Sequence, residues 1–142
     1  QMKTLLDHFA YRWIVHRPDL SFMKKQAIII NTAAGGGMKS TAKDIKDSTD
    51  HWGIARTYTI SQMVWDYDWT NLPASFCKSA QKKVECTARK IMRHAKNLTP
   101  SFKVKCLFML YQFLHRKQKM SAVDDAYWKE KEYVTGKPWK QN

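Results

Sequence analysis

The chain lacks the features that mark metal sites, disulfide frameworks and membrane spans. Its three cysteines are widely spaced and no CxxC or paired Cys/His motif accompanies them, so neither structural zinc nor a disulfide framework is expected. Such cysteines fit a reducing, cytoplasmic setting. The longest apolar run, Cys106 to Leu114, is too short to span a bilayer. No charged-then-apolar leader with a cleavage site is visible, and secretion is therefore not expected.

Acidic residues are also scarce, because 12 Asp and Glu stand against 25 Lys and Arg and give a formal charge of +13. Such a charge favours anionic partners, namely nucleic acid, a membrane surface or phosphorylated cofactors. A basic solvated surface is the simpler interpretation, since charge bears on association rather than on fold. With 142 residues and six each of Trp, Tyr and Phe, the chain can build one folded domain.

Glycine is rare, yet three of the five glycines stand together at positions 35–37. The β-branched run from Gln26 to Thr32 precedes them and is typical of a central parallel strand covered on both faces. The hydroxyl residues at 40–41 can cap a helix that Gly53 closes. Residues 56–60 favour a second strand, so this region predicts a β-loop-α-β unit with a right-handed crossover.

Three further segments have helical periodicity. Apolar residues recur at helical spacing from Met2 to Trp13, and Pro18 stops that helix. A long helix starts near Pro73 and carries an apolar stripe to Leu98, with lysines and arginines on its outer side. A third helix is predicted over residues 101–119.

The middle of that third helix, Val104 to Leu114, is apolar nearly all the way round, which predicts burial on several sides. Burial against another subunit is one interpretation, and an additional core helix is another. Cations at both ends of the segment also allow an in-plane contact with a membrane surface.

The predicted strands number only two, and a two-stranded parallel sheet flanked by helices is not a stable domain. The opening helix also requires a strand before it, because the β-α alternation is otherwise in place. The first residue is Gln1 rather than Met. We therefore expect this chain to be the second half of a doubly wound sheet whose first strands lie upstream.

Two stretches resemble the flavodoxin-like superfamily, specifically its branch of NAD(P)H-dependent FMN reductases and multimeric flavodoxins. Gln1 to Phe9 is similar to the helix after the family's third strand, and Ile28 to Thr41 to its fourth strand and second isoalloxazine loop. Trp52-Gly53-Ile54 before the last strand is also similar. The resemblance implies an α/β fold, a flavodoxin-like doubly wound parallel sheet without its N-terminal strands, over residues 1–98. Residues 99–142 then form a helical extension that packs on the domain or on a neighbouring subunit.

The resemblance also implies a function, that of an FMN-dependent NAD(P)H oxidoreductase which passes hydride through the flavin to a quinone-like or other small acceptor. No catalytic side chain is expected, because the cofactor carries the chemistry. A homo-oligomer is expected, since members of the family commonly form dimers or tetramers. The family's Ser/Thr-rich loop for the FMN phosphate has no counterpart here. The implied cofactor-binding residues are Met2, Lys3, Thr32, Ala33, Ala34, Gly35, Gly36, Gly37, Met38 and Lys39.

The position of the glycine loop supports such a site independently. Ligands of an open parallel sheet bind beyond the carboxyl ends of its strands. Glycines there let backbone N–H groups approach a flat ring, and the following helix start adds partial positive charge. A flexible turn is the simpler interpretation. A phosphate-binding P-loop is excluded, because Ala33 and Met38 stand where that motif requires glycine.

Two other functions stay open, a non-catalytic electron carrier of flavodoxin type and a basic module that binds anions or nucleic acid. The positive charge argues against the carrier, since flavodoxins that dock basic partners are usually acidic. Aromatic residues are not interleaved with the basic ones, which argues against a nucleic-acid partner. The five histidines are scattered, and none is assigned a catalytic role.

Overall fold

The chain opens with a short helix, α1, over Met2–His8 in the computed structural model, which describes residues 1–140. The expected continuation to Trp13 is wrong, because the α-helix stops and one 3₁₀ turn follows at Ala10–Arg12. The carbonyl of Phe9 accepts from Trp52 Nε1 at 3.0 Å, and Trp13 N donates instead to Ala10 O. Phe9 O also accepts from Arg12 N at 3.0 Å, so a 3₁₀ turn closes where α1 would have continued, and the Trp52 contact adds to it.

The centre of the first half is a β-α-β unit. Strand β1 spans Gln26–Ala33, helix α2 spans Met38–His51 and strand β2 spans Arg56–Met63. The strands are parallel, and the register runs from Gln26 opposite Arg56 to Ala33 opposite Met63. The predicted β-loop-α-β unit is confirmed and the fold is α/β, with a two-stranded sheet in the part of the chain that the structure describes. A wider doubly wound sheet stays a proposal.

Helix α2 covers one face of this sheet. Ile29 of β1 and Ala42 of α2 are buried, as is Thr49 of α2. The hydroxyl oxygens of Thr49 and Thr57 lie 2.9 Å apart and join α2 to β2. Apolar burial and this hydrogen bond together fix the position of α2 along the strands.

The opposite face is only partly covered. Helix α3, Ala74–Ala95, contacts β2, and Tyr58 Oη lies 2.8 Å from His94 Nδ1. None of the residues of α3 is buried, so its expected inward stripe is at most half-buried. Ile28 and Ile30 of β1 are exposed on this sheet. These side chains are exposed because the described sheet has only two strands, so α3 has no third strand to pack against.

The main core lies away from the sheet, around helices α4, Phe102–Arg116, and α5, Ala122–Glu130. It joins both helices to the loops that precede β1. Its buried members are Ile14, Met23, Val104, Phe108 and Trp128. Hydrogen bonds from Tyr127 Oη to Pro18 O and from Trp128 Nε1 to His16 O hold α5 on that loop. Three 3₁₀ segments complete the described chain, at Leu20–Lys24, Trp69–Asn71 and Pro138–Lys140.

Within residues 1–140 helix α4 is covered on one side, and its burial against another subunit stays a prediction. One face is buried, and its members are Val104, Phe108, Gln112 and His115. The opposite face is exposed, and its members are Phe102, Met109, Leu110 and Phe113. Uniform apolar character hid this asymmetry, because hydropathy alone does not say which face a neighbour covers. The division at residue 98 stays a prediction. No helix within residues 1–140 is long and apolar enough to cross a membrane.

Candidate site at the carboxyl edge of the sheet

The glycine loop lies open to solvent between β1 and α2. Gly37 has φ of 86° and stands at the N-cap of α2, so this position requires the left-handed conformation that glycine adopts without cost. Gly35 and Gly36 have no positive φ, and a Cβ on either would meet no atom within 4 Å. All three are exposed. The loop is therefore accessible to a ligand along its backbone.

The start of α2 is left without a side-chain cap. The hydroxyl residues that were expected to cap it bond backwards, since Ser40 Oγ donates to Gly37 O at 2.8 Å and Thr41 Oγ1 does so at 3.2 Å. The prediction of a cap at 40–41 is wrong, because the helix already begins at Met38. The N–H groups of the first turn thus face the open loop with the positive end of the helix dipole behind them.

A polar side chain inside β1 holds the loop in position. Asn31 Nδ2 donates to Met38 O at 2.7 Å, and Ser61 Oγ of β2 donates to Asn31 Oδ1 at 2.6 Å. One side chain therefore ties both strands to the first residue of α2. Sequence reasoning missed Asn31 and Ser61, although an asparagine within an isoleucine-rich strand was a usable signal because such residues are depleted from strands.

An aromatic segment follows β2 at the same edge. Val64 N donates to Ala33 O at 3.0 Å, so the chain leaves β2 beside the start of the glycine loop. The ring centroids of Trp65 and Trp69 lie 5.0 and 6.0 Å from that of Phe76 in edge-on packing. Both tryptophans are more than half exposed. The rings of this segment therefore remain accessible.

The structure brings together only part of the predicted cofactor-binding set. Thr32, Ala34 and Lys39 are exposed at the loop, while Ala33 and Met38 are half-buried there. Among residues 1–140, Lys39 forms no ion pair.

Met2 and Lys3 begin α1, the helix that the resemblance predicts over Gln1 to Phe9, and both are exposed. The end of α1 is tied to Trp52, which follows the last residue of α2, at the end of that helix remote from the glycines. Within the described chain no hydrogen bond joins Met2 or Lys3 to the loop. Their assignment to the site rests on the resemblance alone.

Comparison with known proteins gave no match to a protein-family model, to a curated protein or to a solved structure. The resemblance to the flavodoxin-like superfamily therefore stays a hypothesis, while the α/β fold with its parallel β-α-β crossover is observed.

Proposed function

We propose that the glycine loop and the segment after β2 form one side of an FMN site in an NAD(P)H-dependent oxidoreductase with a flavodoxin-like domain. The observation that carries this proposal is the pair Gly35 and Gly36. Neither has a positive φ, and a Cβ on either would touch nothing within 4 Å. Nothing in residues 1–140 therefore requires glycine at these positions, whereas a flat ring lying on the backbone would.

Bound FMN would supply hydride transfer between a nicotinamide and a small acceptor such as a quinone. The residues of this chain would bind the flavin and exclude water. The uncapped first turn of α2 offers N–H groups and partial positive charge to an electron-rich ring edge. Trp65 and Trp69 offer apolar ring faces that stack and exclude water. Lys39 supplies a cation beside the loop.

Two open surfaces support a larger flavodoxin-like sheet. Strand β1 pairs with β2 alone in the described chain, which leaves its other edge unpaired. Ile28 and Ile30 are exposed on a strand whose composition suits burial. A further parallel strand along β1, with its own helix, would cover both. The phosphate of FMN would then be held by such a neighbouring segment rather than by residues 1–140.

The test is a titration of the purified full-length protein with FMN, followed by flavin fluorescence and visible absorption. Gly36→Val is expected to weaken binding because its side chain stands where the ring would lie. Its thermal unfolding midpoint should stay unchanged, since the added Cβ points into open space. Met92→Ser, at an exposed position of α3, is the control and should bind like the parent protein. A full-length protein that takes up no FMN, or a Gly36→Val variant that binds it equally well, contradicts the proposal.

One further measurement distinguishes an enzyme from an electron carrier. An oxidoreductase with bound FMN should be bleached by NADH or NADPH and reoxidised by a quinone. A carrier of flavodoxin type should bind FMN but resist direct reduction by the nicotinamide.

The basic face of α3 favours a second candidate, a module that binds nucleic acid or another polyanion. No residue of α3 is buried, and its cations are exposed. They are Lys78, Lys82, Lys83, Arg89, Lys90 and Arg93. Binding to DNA that weakens steeply with salt, and that is lost when Lys82 and Lys90 are neutralised, would support this function.

A further inference from the structure

Helix α4 carries an unpartnered apolar ridge, here called the α4 outer face. It consists of Phe102, Met109, Leu110 and Phe113. These residues share one side of the helix, because Met109 and Phe113 fall within about 20° of Phe102 around the axis and Leu110 about 80° from it. Phe102 is 83% exposed and Phe113 is 54% exposed. Two phenylalanines open to solvent on one ridge mark an interaction surface.

The charged residues of the helix itself are of one sign, although Lys103 beside Phe102 pairs with Asp47 and Asp50 of α2. Helix α4 contains no aspartate or glutamate. Arg116 ends the helix, and Lys117 and Lys119 follow it, both exposed. Within residues 1–140 neither lysine forms an ion pair. At the other end, Lys105 lies with its Nζ 5.8 Å from the centroid of the Trp139 ring.

We propose that the α4 outer face rests on an anionic lipid surface. Phe102 and Phe113 would enter the boundary between headgroups and acyl chains, while Lys117 and Lys119 would face the lipid phosphates. An apolar ridge flanked by cations is the arrangement of a helix that lies in the plane of a membrane. Such a contact requires no spanning segment, and none of the helices in residues 1–140 could supply one.

Charge argues against a second copy of the chain as the occupant. Two outer faces packed together would bring acid-free helices into contact, and each chain carries a formal charge of +13. Shape argues against a short peptide, which would need a groove. The described cavities lie beside Leu20, Glu132 and Ala126, and α4 lines none of them.

The experiment is co-sedimentation of the full chain with phosphatidylcholine vesicles prepared with and without phosphatidylserine. We expect binding to the vesicles that contain phosphatidylserine and a loss of about tenfold in affinity for Phe102→Ser/Phe113→Ser, because two rings no longer leave water. The matched control is Ile30→Ser/Met92→Ser. This variant replaces two apolar side chains on β1 and α3, each 70% exposed, and should bind vesicles like the parent chain.

A second pair of variants separates a directed contact from general attraction of a basic protein. Lys117→Gln/Lys119→Gln should weaken vesicle binding about tenfold, since each cation near an anionic surface contributes to it. Lys82→Gln/Lys90→Gln removes the same charge from α3, away from the ridge, and should have little effect.

Three results would overturn the proposal. The first is equal vesicle binding by the parent chain and by Phe102→Ser/Phe113→Ser. The second is an equal loss of vesicle binding in the two double-lysine variants, which would show that net charge alone causes the attraction. The third is a concentration-dependent dimer that dissociates in Phe102→Ser/Phe113→Ser while vesicles do not bind, which would make the ridge an interface between copies. Failure to bind FMN leaves the proposal unaffected, because no residue is shared with the glycine loop.

Discussion

The two ends of the molecule are built in opposite ways. Around α4 and α5, Phe108 and Trp128 are fully buried, with ring centroids 5.1 Å apart. At the carboxyl edge of the sheet, Gly35 to Gly37 lie in solvent and Ile30 is exposed. The helical end concentrates the apolar burial that stabilises the chain, whereas the sheet end presents backbone and rings to the outside. A surface that binds a ligand can be left open because stability resides elsewhere.

The largest expected difference comes from deleting a large side chain at each end. Phe108→Ala should lower the free energy of unfolding by about 3–5 kcal/mol, because it leaves a cavity against Trp128 and Trp139. Ile30→Ala should lower it by less than about 0.5 kcal/mol, since that side chain is mostly in water. Urea unfolding measures both. Comparable losses would show that the sheet end is covered in solution.

The second difference concerns histidines with hydrogen bonds at each end. His115 is fully buried, with Nδ1 2.6 Å from Asp125 Oδ1 and Nε2 3.1 Å from Val15 O. His115→Phe keeps a ring of similar shape but leaves the buried carboxylate of Asp125 and the half-buried Val15 O unpaired, which should cost about 2–3 kcal/mol.

His94→Phe is the matched change at the sheet, where the ring contacts Tyr58 Oη and remains half-exposed. It should cost less than about 1 kcal/mol, because water can replace the lost partner. Adding Asp125→Asn to His115→Phe should restore part of the lost stability. If His115→Phe and His94→Phe lower the free energy of unfolding equally, the stability of the helical end does not depend on the burial of His115.

Local pattern predicted the sheet end and the helix over residues 101–119 well but did not predict the core contacts of the helical end, for a physical reason. The β-branched run, the glycines and Gly53 act through their immediate neighbours, so β1, α2 and β2 could be read from the sequence. The core forms between residues about a hundred positions apart, as in the contact of His115 with Val15. No local periodicity records such a contact. The resemblance placed Met2 and Lys3 at the site, and this stays a prediction, since the structure shows only that they begin α1.

The glycines at the two ends provide the third comparison. Gly53 has φ of +85°, and its Cβ would lie 3.6 Å from Ile14 and 3.7 Å from Met23 in the core. Gly53→Ala should cost about 1–2 kcal/mol, mainly from the left-handed backbone. Gly37→Ala has the same strain without those neighbours and should cost a similar amount. Gly36→Ala involves neither a left-handed backbone nor close neighbours, so it should leave the free energy of unfolding unchanged or raise it slightly. Thermal unfolding distinguishes these cases, and a costly Gly36→Ala would reveal a constraint on the open loop.

The smallest effect is a difference in acid sensitivity between Asp124 at the helical end and Asp68 at the sheet end. Burial raises the pKa of Asp124, but hydrogen bonds from His16 and Ser121 outweigh it and hold that pKa below its usual 3.8. A lowered pKa in the folded state gives stability that is present above pH 3.8 and is lost as the pH falls through the lower value. Hydrogen bonds from the backbone and the side chain of Thr70 also lower the pKa of Asp68, within an exposed turn.

Asp124→Asn should therefore cost about 1 kcal/mol at neutral pH, and the difference from the parent chain should shrink below about pH 4. Asp68→Asn should leave stability unchanged at both pH values, because its hydrogen bonds are local and water replaces them. Urea unfolding at a series of pH values gives both curves. A deficit in Asp124→Asn that persists to about pH 2 would mean that the lost contact is one of packing rather than of charge. The contacts of Asp124 with His16 and Arg17 would then contribute little to the stability of the helical end.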